Sequence, residues 1–287
     1  MKKKEIIEKL NELNIDKDKC LIIDDTALVL YGVIKETNDI NYINIDNNNY
    51  EEINNYRVMS LEDLINKYND KSIVKKIQLM IDCKDTYKNE RELKKIGYKL
   101  IGGVDEVGRG PLVGPVVAAC VVLPDKFNLD GLTDSKKLSE KKRDFFFEEI
   151  KKQAVSYGIG IVDEKRIDEI NIYEATKEAM IMAINNCSIL PDYVLTDAMK
   201  LDIDIPVKPI IKGDLRSITI SAASVLAKVT RDRMLYELDK KYPMYDFKNN
   251  VGYPTKKHLD AIKEYGIIPE HRKSYGPVKE YLEKNKM

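Results

Sequence analysis

An α/β architecture is what this sequence of 287 residues predicts, and two observations carry that reading. From Tyr98 onward, short apolar runs alternate with longer amphipathic stretches, the pattern of a sheet covered by helices. Start and stop signals bound those stretches: Ser139 and Thr255 stand at cap positions, and Pro243 and Gly266 at ends. Residues 98–287 are therefore expected to form the main domain, ending in a helical region. Residues 1–84 read as a small α+β accessory domain. Residues 85–97 read as a charged helical linker, because Lys, Glu and Arg alternate there without an apolar stripe.

In chain order, a charged helix is expected over Lys3–Leu13, then a strand at Leu21–Ile23 and a short apolar piece at Thr26–Tyr31. Asp46-Asn47-Asn48-Asn49 is a polar loop, and Val58–Asp82 reads as mostly helical. The main domain opens with a strand to Val104, a glycine loop, and a second strand over Pro115–Leu123; a polar loop then runs to Asp134. A helix capped by Ser139 reaches Lys152, Val155–Val162 alternates as a strand, and Asp163–Asn186 is helical with a break near Asn171. Tyr193–Thr196 and Pro206–Ile211 are extended. Two helices close the chain, Ser221–Tyr242, stopped by Pro243, and Thr255–Tyr265.

The chemistry concentrates at Gly103-Val104-Asp105-Glu106-Val107-Gly108-Arg109-Gly110-Pro111, between two apolar runs. Side chains alternate along a strand, so Asp105 and Glu106 point to opposite faces and serve one site only if the strand ends or bends there. Gly108 and Gly110 allow a bend and a close approach to backbone amides, and Arg109 suits a phosphate. Carboxylates beside exposed amides imply a phosphodiester held by divalent metal.

The run from Asp105 to Pro124, DEVGRGPLVGPVVAACVVLP, resembles the signature of ribonuclease HII, the type 2 ribonuclease H family. The resemblance continues through Asp134-Ser135-Lys136-Lys137-Leu138-Ser139, Asp197-Ala198-Met199, the stretch Ala222 to Asp232, and Gly252-Tyr253-Pro254-Thr255. It covers Tyr98 to the C-terminus and implies the ribonuclease H-like fold, a mixed central sheet flanked by helices with further helices after it.

What the resemblance implies is a metal-dependent endoribonuclease. It would cut the RNA strand of RNA/DNA hybrids and cut 5′ of single ribonucleotides embedded in duplex DNA, leaving 3′-hydroxyl and 5′-phosphate ends. Asp105, Glu106, Asp197 and Asp232 are the expected catalytic and metal-ligating residues. Their hard oxygens suit Mg²⁺ or Mn²⁺, and two ions about 4 Å apart can activate water and stabilise the leaving oxygen. Gly108, Arg109 and Gly110 would recognise the 2′-hydroxyl through the loop backbone, and Tyr253 would stack at the RNA-DNA junction. Lys136 is a candidate phosphate contact. Ser224, Lys228 and Asp232, spaced by four, share one helical face. A type III-like ribonuclease H and a non-catalytic junction-binding protein are the alternatives. The Arg-Gly-Pro of the loop speaks against the first, and four carboxylates beside phosphates speak against the second.

Composition bounds the rest. The 48 basic residues balance 48 acidic ones, so nucleic acid would meet a local patch and not a basic blanket. Cys20, Cys83, Cys120 and Cys187 form no CxxC pair, which fits a reducing cytoplasm and argues against zinc. No apolar run is long enough to span a membrane. His258 and His271 have no ligand partner at helical spacing, so structural roles are expected. Residues 278–287 lack the aromatic pair of a sliding-clamp peptide, and a monomer is expected. In the accessory domain, Thr26 to Val33 followed by Thr37-Asn38-Asp39-Ile40-Asn41 resembles the core of minimal nucleotidyltransferase-like domains. Asn41 stands where a second metal carboxylate would, which implies a scaffold without transfer chemistry; a fold of its own and a substrate-binding module are the other readings.

Overall fold

A computed structural model describes residues 85–285 apart from 128, 130, 133 and 134. Within the first 84 residues it describes 1–12, 20–22, 27, 30, 37, 42–44, 50–53, 56–65, 71, 73–74 and 77–78. The chain divides into two compact units, Met1–Asp85 and Thr86–Met287.

In the first unit, helix α1 (Lys3–Glu12) buries Ile6 and Leu10, one turn apart on a single face. Strands β1 (Cys20–Ile22), β2 (Tyr42–Asn44), β3 (Tyr50–Ile53) and β4 (Tyr56–Met59) form a sheet of order β2-β1-β4-β3. β1 runs parallel to β4, and the other neighbours are antiparallel. Val58 therefore lies in a strand and not in the expected helix. It pairs with Glu51 across a hairpin, and the helix α2 (Leu61–Ile65) starts only after Ser60, whose Oγ accepts from the Asp63 amide at 3.2 Å. Thr26, Asp39, Asn41 and the Asp46–Asn49 loop lie outside the described residues.

The second unit opens with helix α3 (Lys88–Lys95), the segment expected to be a linker. It is part of this unit instead. Leu93 packs with Ile101, Leu195, Ile210 and Ile220, and the Glu90 carboxylate accepts hydrogen bonds from the Ser217 and Thr219 hydroxyls and the Thr219 amide. Two inward residues on a short charged helix leave too narrow a stripe to read from sequence. A chain starting at Thr86 is accordingly expected to melt cooperatively. A chain starting at Tyr98 loses the burial of Leu93 and the cap by Glu90, about 3 kcal/mol together, and equal melting temperatures for the two would reject that role for α3.

Five strands form the central sheet, β5 (Ile101–Val107), β6 (Val116–Val122), β7 (Ser156–Val162), β8 (Tyr193–Asp197) and β9 (Val207–Ile210), in the order β7-β6-β5-β8-β9. The β5-β6 and β6-β7 pairs are antiparallel, and β5-β8 and β8-β9 are parallel. β6 is buried along its whole length, because both faces are covered. Ala119 and Val121 face helices α4 (Glu140–Gln153) and α7 (Ile218–Lys241); Ala118 and Cys120 face α5 (Glu164–Asn185). Ser139 and Asp163 cap α4 and α5 through their side chains, Ser217 caps α7, and the short helix α6 (Gly213–Arg216) precedes it. α5 breaks where expected, at Asn171 (φ 69°), whose side chain accepts from the Tyr173 and Glu174 amides and restarts the helix.

After α7 the chain forms α8 (Phe247–Asn250), α9 (Lys256–Tyr265, capped by Thr255) and α10 (Gly276–Lys284). The two expected closing helices are present. α10 is an addition, and Pro277 in its first turn is a start signal the reading passed over.

Candidate active site

Asp105 and Glu106 both lie inside β5, which stays paired with β6 as far as Val107. The strand does not end at the acidic pair; the sheet opens beside it. Pairing with β8 stops at Val104–Thr196, so beyond that point β5 and β8 separate with Asp105 on one and Asp197 on the other. Asp105 stands opposite Ala119, on the side of α7, and Glu106 stands opposite Ala118, on the other face. The opening lets both feel Asp197.

Electrostatics record that convergence. The Asp105 carboxyl, 5% exposed, is pushed well above the ordinary range by burial, then by the charges of Glu106 and Asp197, against a hydrogen bond from Ser224 and one from the Glu106 amide at 2.8 Å. Burial also raises Glu106, with Arg109 opposing and Asp197 adding. Arg109 reaches Glu106 at 3.5 Å. Asp197 ends β8 and accepts from the Gly213 amide at 2.8 Å, which fixes its carboxylate at the start of α6.

Asp232 sits differently. It is buried on α7 and paired with Lys228 at 2.6 Å, in a small cleft lined by Glu140, Arg143 and Tyr236. Lys228, Ser224, Asp105, Glu106, Ser135, Lys136, Arg231 and Tyr253 line a neighbouring cleft of about 180 Å³. Asp105, Glu106 and Asp197 thus influence one another electrostatically, and Asp232, paired with Lys228, lines the separate small cleft. Ser224 is bonded to Ser135 at 2.8 Å, and Arg143 donates to the Ser135 and Leu138 carbonyls, which secures the Lys136 segment against α7.

The glycine loop follows Val107, the last β5 residue lining the Asp105 cleft. Gly108 has φ +95°, and a Cβ there would meet Arg231 Nε at 2.3 Å. A Cβ on Gly110 would come within 3.1 Å of the half-exposed Tyr253 ring, so ring and loop face each other closely. Two buried arginines hold this loop and the segments beside it. Arg231 donates to the carbonyls of Pro115, Val113 and Val251 at 2.9–3.0 Å. Arg272 donates to Gly108, Arg109 and Gly114 and to the Tyr275 hydroxyl. Burial, then the neighbouring Arg272, brings Arg231 down to about 10, yet each guanidinium spends its donors on carbonyls and stays charged at neutral pH. Arg231 lies inside the motif that ends at Asp232, and that position was the available clue.

Among the described residues no three His, Cys, Asp or Glu side chains close on one point as a finished cage. The donor set still fits a hard divalent cation. Mg²⁺ is commonly held by one or two carboxylates, waters and substrate phosphate, and the mutual repulsion of Asp105, Glu106 and Asp197 is what a cation would relieve.

A five-stranded mixed sheet with helices on both faces and carboxylates at its open end defines a nuclease of the ribonuclease H-like class. The family model for ribonuclease HII matches residues 102–276. Ribonuclease HII of Bacillus cereus (strain Q1) is 58% identical over 197 residues, covering 69% of this chain and 77% of the relative. Among solved structures, ribonuclease H2 from Pyrococcus horikoshii OT3 superposes with a TM-score of 0.57 at 28% identity, over 66% of this chain and 99% of that one. The ribonuclease HII of the PCNA:RNase HII complex from Archaeoglobus fulgidus gives 0.53 at 26% identity, over 62% and 96%. This chain belongs to the ribonuclease HII family, and it is a ribonuclease H, an endonuclease acting on RNA/DNA hybrids.

Proposed function

We propose that the enzyme cuts 5′ of single ribonucleotides embedded in duplex DNA as well as within longer hybrids, leaving 3′-hydroxyl and 5′-phosphate ends. The observation that carries this reading is the close packing of Gly110 against the ring of Tyr253, a residue that lines the same cleft as Asp105. A backbone-lined loop beside an aromatic ring suits a sugar edge: the loop amides read the 2′-hydroxyl, and the ring stacks on the sugar or base at the junction. Lys136 and Lys228 then meet phosphates on the cleft wall.

Asp105, Glu106 and Asp197, with Asp232 as the fourth carboxylate, would hold Mg²⁺ or Mn²⁺. Two such ions supply activation of the attacking water and stabilisation of the leaving oxygen. The protein's own share is positional. Gly213 fixes Asp197, the Glu106 amide and Ser224 fix Asp105, and Arg109 balances Glu106. Lys228 neutralises Asp232 and adds a cation next to the expected phosphate. Cys120 and Cys187 are buried free thiols, which suits a cytoplasmic enzyme. Among the described residues no helix is long and apolar enough to cross a membrane. The protein is proposed to act as a monomer, and the first unit, which contributes none of these residues, to be an accessory module.

A labelled duplex containing one ribonucleotide, run beside a long RNA/DNA hybrid with Mg²⁺ or Mn²⁺, tests the reading. Cleavage 5′ of the single ribonucleotide is expected, and cutting confined to long hybrids would reject it. Tyr253→Ala should weaken single-ribonucleotide cleavage by about 1–3 kcal/mol, roughly 5- to 150-fold, as for lost base-aromatic stacking. Long hybrids offer alternative registers and should suffer less. Equal losses on the two substrates would remove Tyr253 from junction sensing.

A further inference from the structure

The two histidines of the chain, distant from every carboxylate motif in sequence, meet in the core behind Tyr253. His258 Nε2 and His271 Nε2 are 3.2 Å apart, and both side chains are fully buried among Tyr245 and Phe247. Their outer nitrogens fix the tautomers. The Ile268 amide donates to His271 Nδ1 at 2.9 Å, so His271 carries its proton on Nε2 and donates it to His258. His258 Nε2 is then the acceptor, and its Nδ1–H donates to the Tyr253 carbonyl at 2.9 Å. The relay has one direction: Ile268, His271, His258, Tyr253.

Its output is the backbone of the substrate-facing tyrosine. The Tyr253 carbonyl also accepts from the Thr255 amide at 2.8 Å, and the Tyr253 amide donates to Asn250 at 2.9 Å, so the peptide on each side of Tyr253 is tied and its Cβ direction is set. The neighbouring residue, Arg272, donates to the Gly108 and Arg109 carbonyls. His271 and Arg272 therefore act on two segments that pack together, the first on the tyrosine through His258 and the second on the glycine loop. Desolvation lowers His258, and desolvation followed by repulsion from His258 brings His271 down to about 3, which keeps the pair neutral and the relay intact at physiological pH.

We propose that His258 and His271 are positioning residues that hold Tyr253 against Gly110 and so set the preference for a single embedded ribonucleotide over a long hybrid. This rests on the reading of Tyr253 as the junction-sensing residue.

The test uses the full chain and the ratio of kcat/KM on the single-ribonucleotide duplex to kcat/KM on the long hybrid, with folding checked by thermal melting. His258→Leu should lower the ratio roughly tenfold, the scale of a slightly misplaced positioning group. His258→Asn, whose amide can replace the donor to the Tyr253 carbonyl, should keep the ratio within about twofold. The double variant with Tyr253→Ala should fall no lower than Tyr253→Ala alone, because the histidine acts through the tyrosine. An unchanged ratio in folded His258→Leu, equal losses on both substrates, or additive losses in the double variant would overturn the proposal. Should His258→Leu fail to fold, His271→Asn decides. It keeps an acceptor for Ile268 but removes the donor to His258, and it must lower the ratio by about threefold or more where His258→Asn does not. Two Asn variants at the wild-type ratio would overturn the relay. If Tyr253→Ala itself keeps the wild-type ratio, the junction reading has failed, a result distinct from failure of the histidines alone.

Discussion

Asp105→Asn is expected to reduce cleavage of both substrates by at least about a thousandfold while leaving duplex binding largely intact. The Asp105 carboxyl is buried and pushed up by burial and by the charges of Glu106 and Asp197, so on the proposed reading a bound cation would favour its ionised form. An amide is close in shape, so the Ser224 contact and the β5 register persist, but it holds a hard cation poorly. Losing about 4 kcal/mol of metal-borne stabilisation corresponds to that rate. Removing one negative charge near phosphate should, if anything, favour binding of the nucleic acid. Single-turnover cleavage together with a binding titration checks both halves; activity within tenfold of wild type would remove Asp105 from the site.

Gly103→Ala should produce a large loss of stability. Gly103 faces the start of α7, and a Cβ there would stand 2.2 Å from the Thr219 carbonyl carbon and 2.3 Å from the Ile220 nitrogen. Both are backbone atoms at the first turn of a 24-residue helix, so neither can turn aside. Overpacking of this kind costs about 3 kcal/mol, roughly 6–12 °C in Tm for a domain of this size. Activity should fall with it, since displacing α7 moves Ser224, Lys228 and Asp232 relative to Asp105. Gly276→Ala, where nothing lies within 4 Å, is the control and should stay within about 0.5 kcal/mol of wild type. Similar melting temperatures for the two would show that β5 and α7 can separate without cost.

Much of the second unit was legible because its signals are local. Ser139, Asp163 and Thr255 cap the helices they were expected to open or precede, and Asn171 breaks α5. α7 begins at Ile218, earlier than the expected Ser221, because the Ser217 cap sits among polar residues that mask the helical stripe. α3 reads as a linker because its two buried side chains, apart from the Leu93–Ile101 contact, pack on residues more than a hundred positions away. Val58 was mistaken for helix because a four-residue strand gains its stability from its neighbours and not from its own pattern.

The sequence by itself determined the chemistry available: an acidic pair on a strand, a further acid at the end of another, a helical face with Ser224, Lys228 and Asp232, and glycines where a backbone must come close. Short-range periodicity and residue type place them on strands, helix and loop, and the resemblance to ribonuclease HII is what selects Asp197 and Asp232 among the acids. Only the tertiary structure decided how they meet. It placed Asp105 and Asp197 together by ending the β5-β8 pairing at Val104–Thr196, and it set Asp232 one Lys228 ion pair to the side. It sent Arg231 to the Val113, Pro115 and Val251 carbonyls and Arg272 to those of Gly108 and Arg109, and it joined His258 to His271 behind Tyr253. The reason is physical: a buried donor must find an acceptor wherever packing delivers one, and packing is settled by the whole sheet and its helices, over separations that no local pattern encodes.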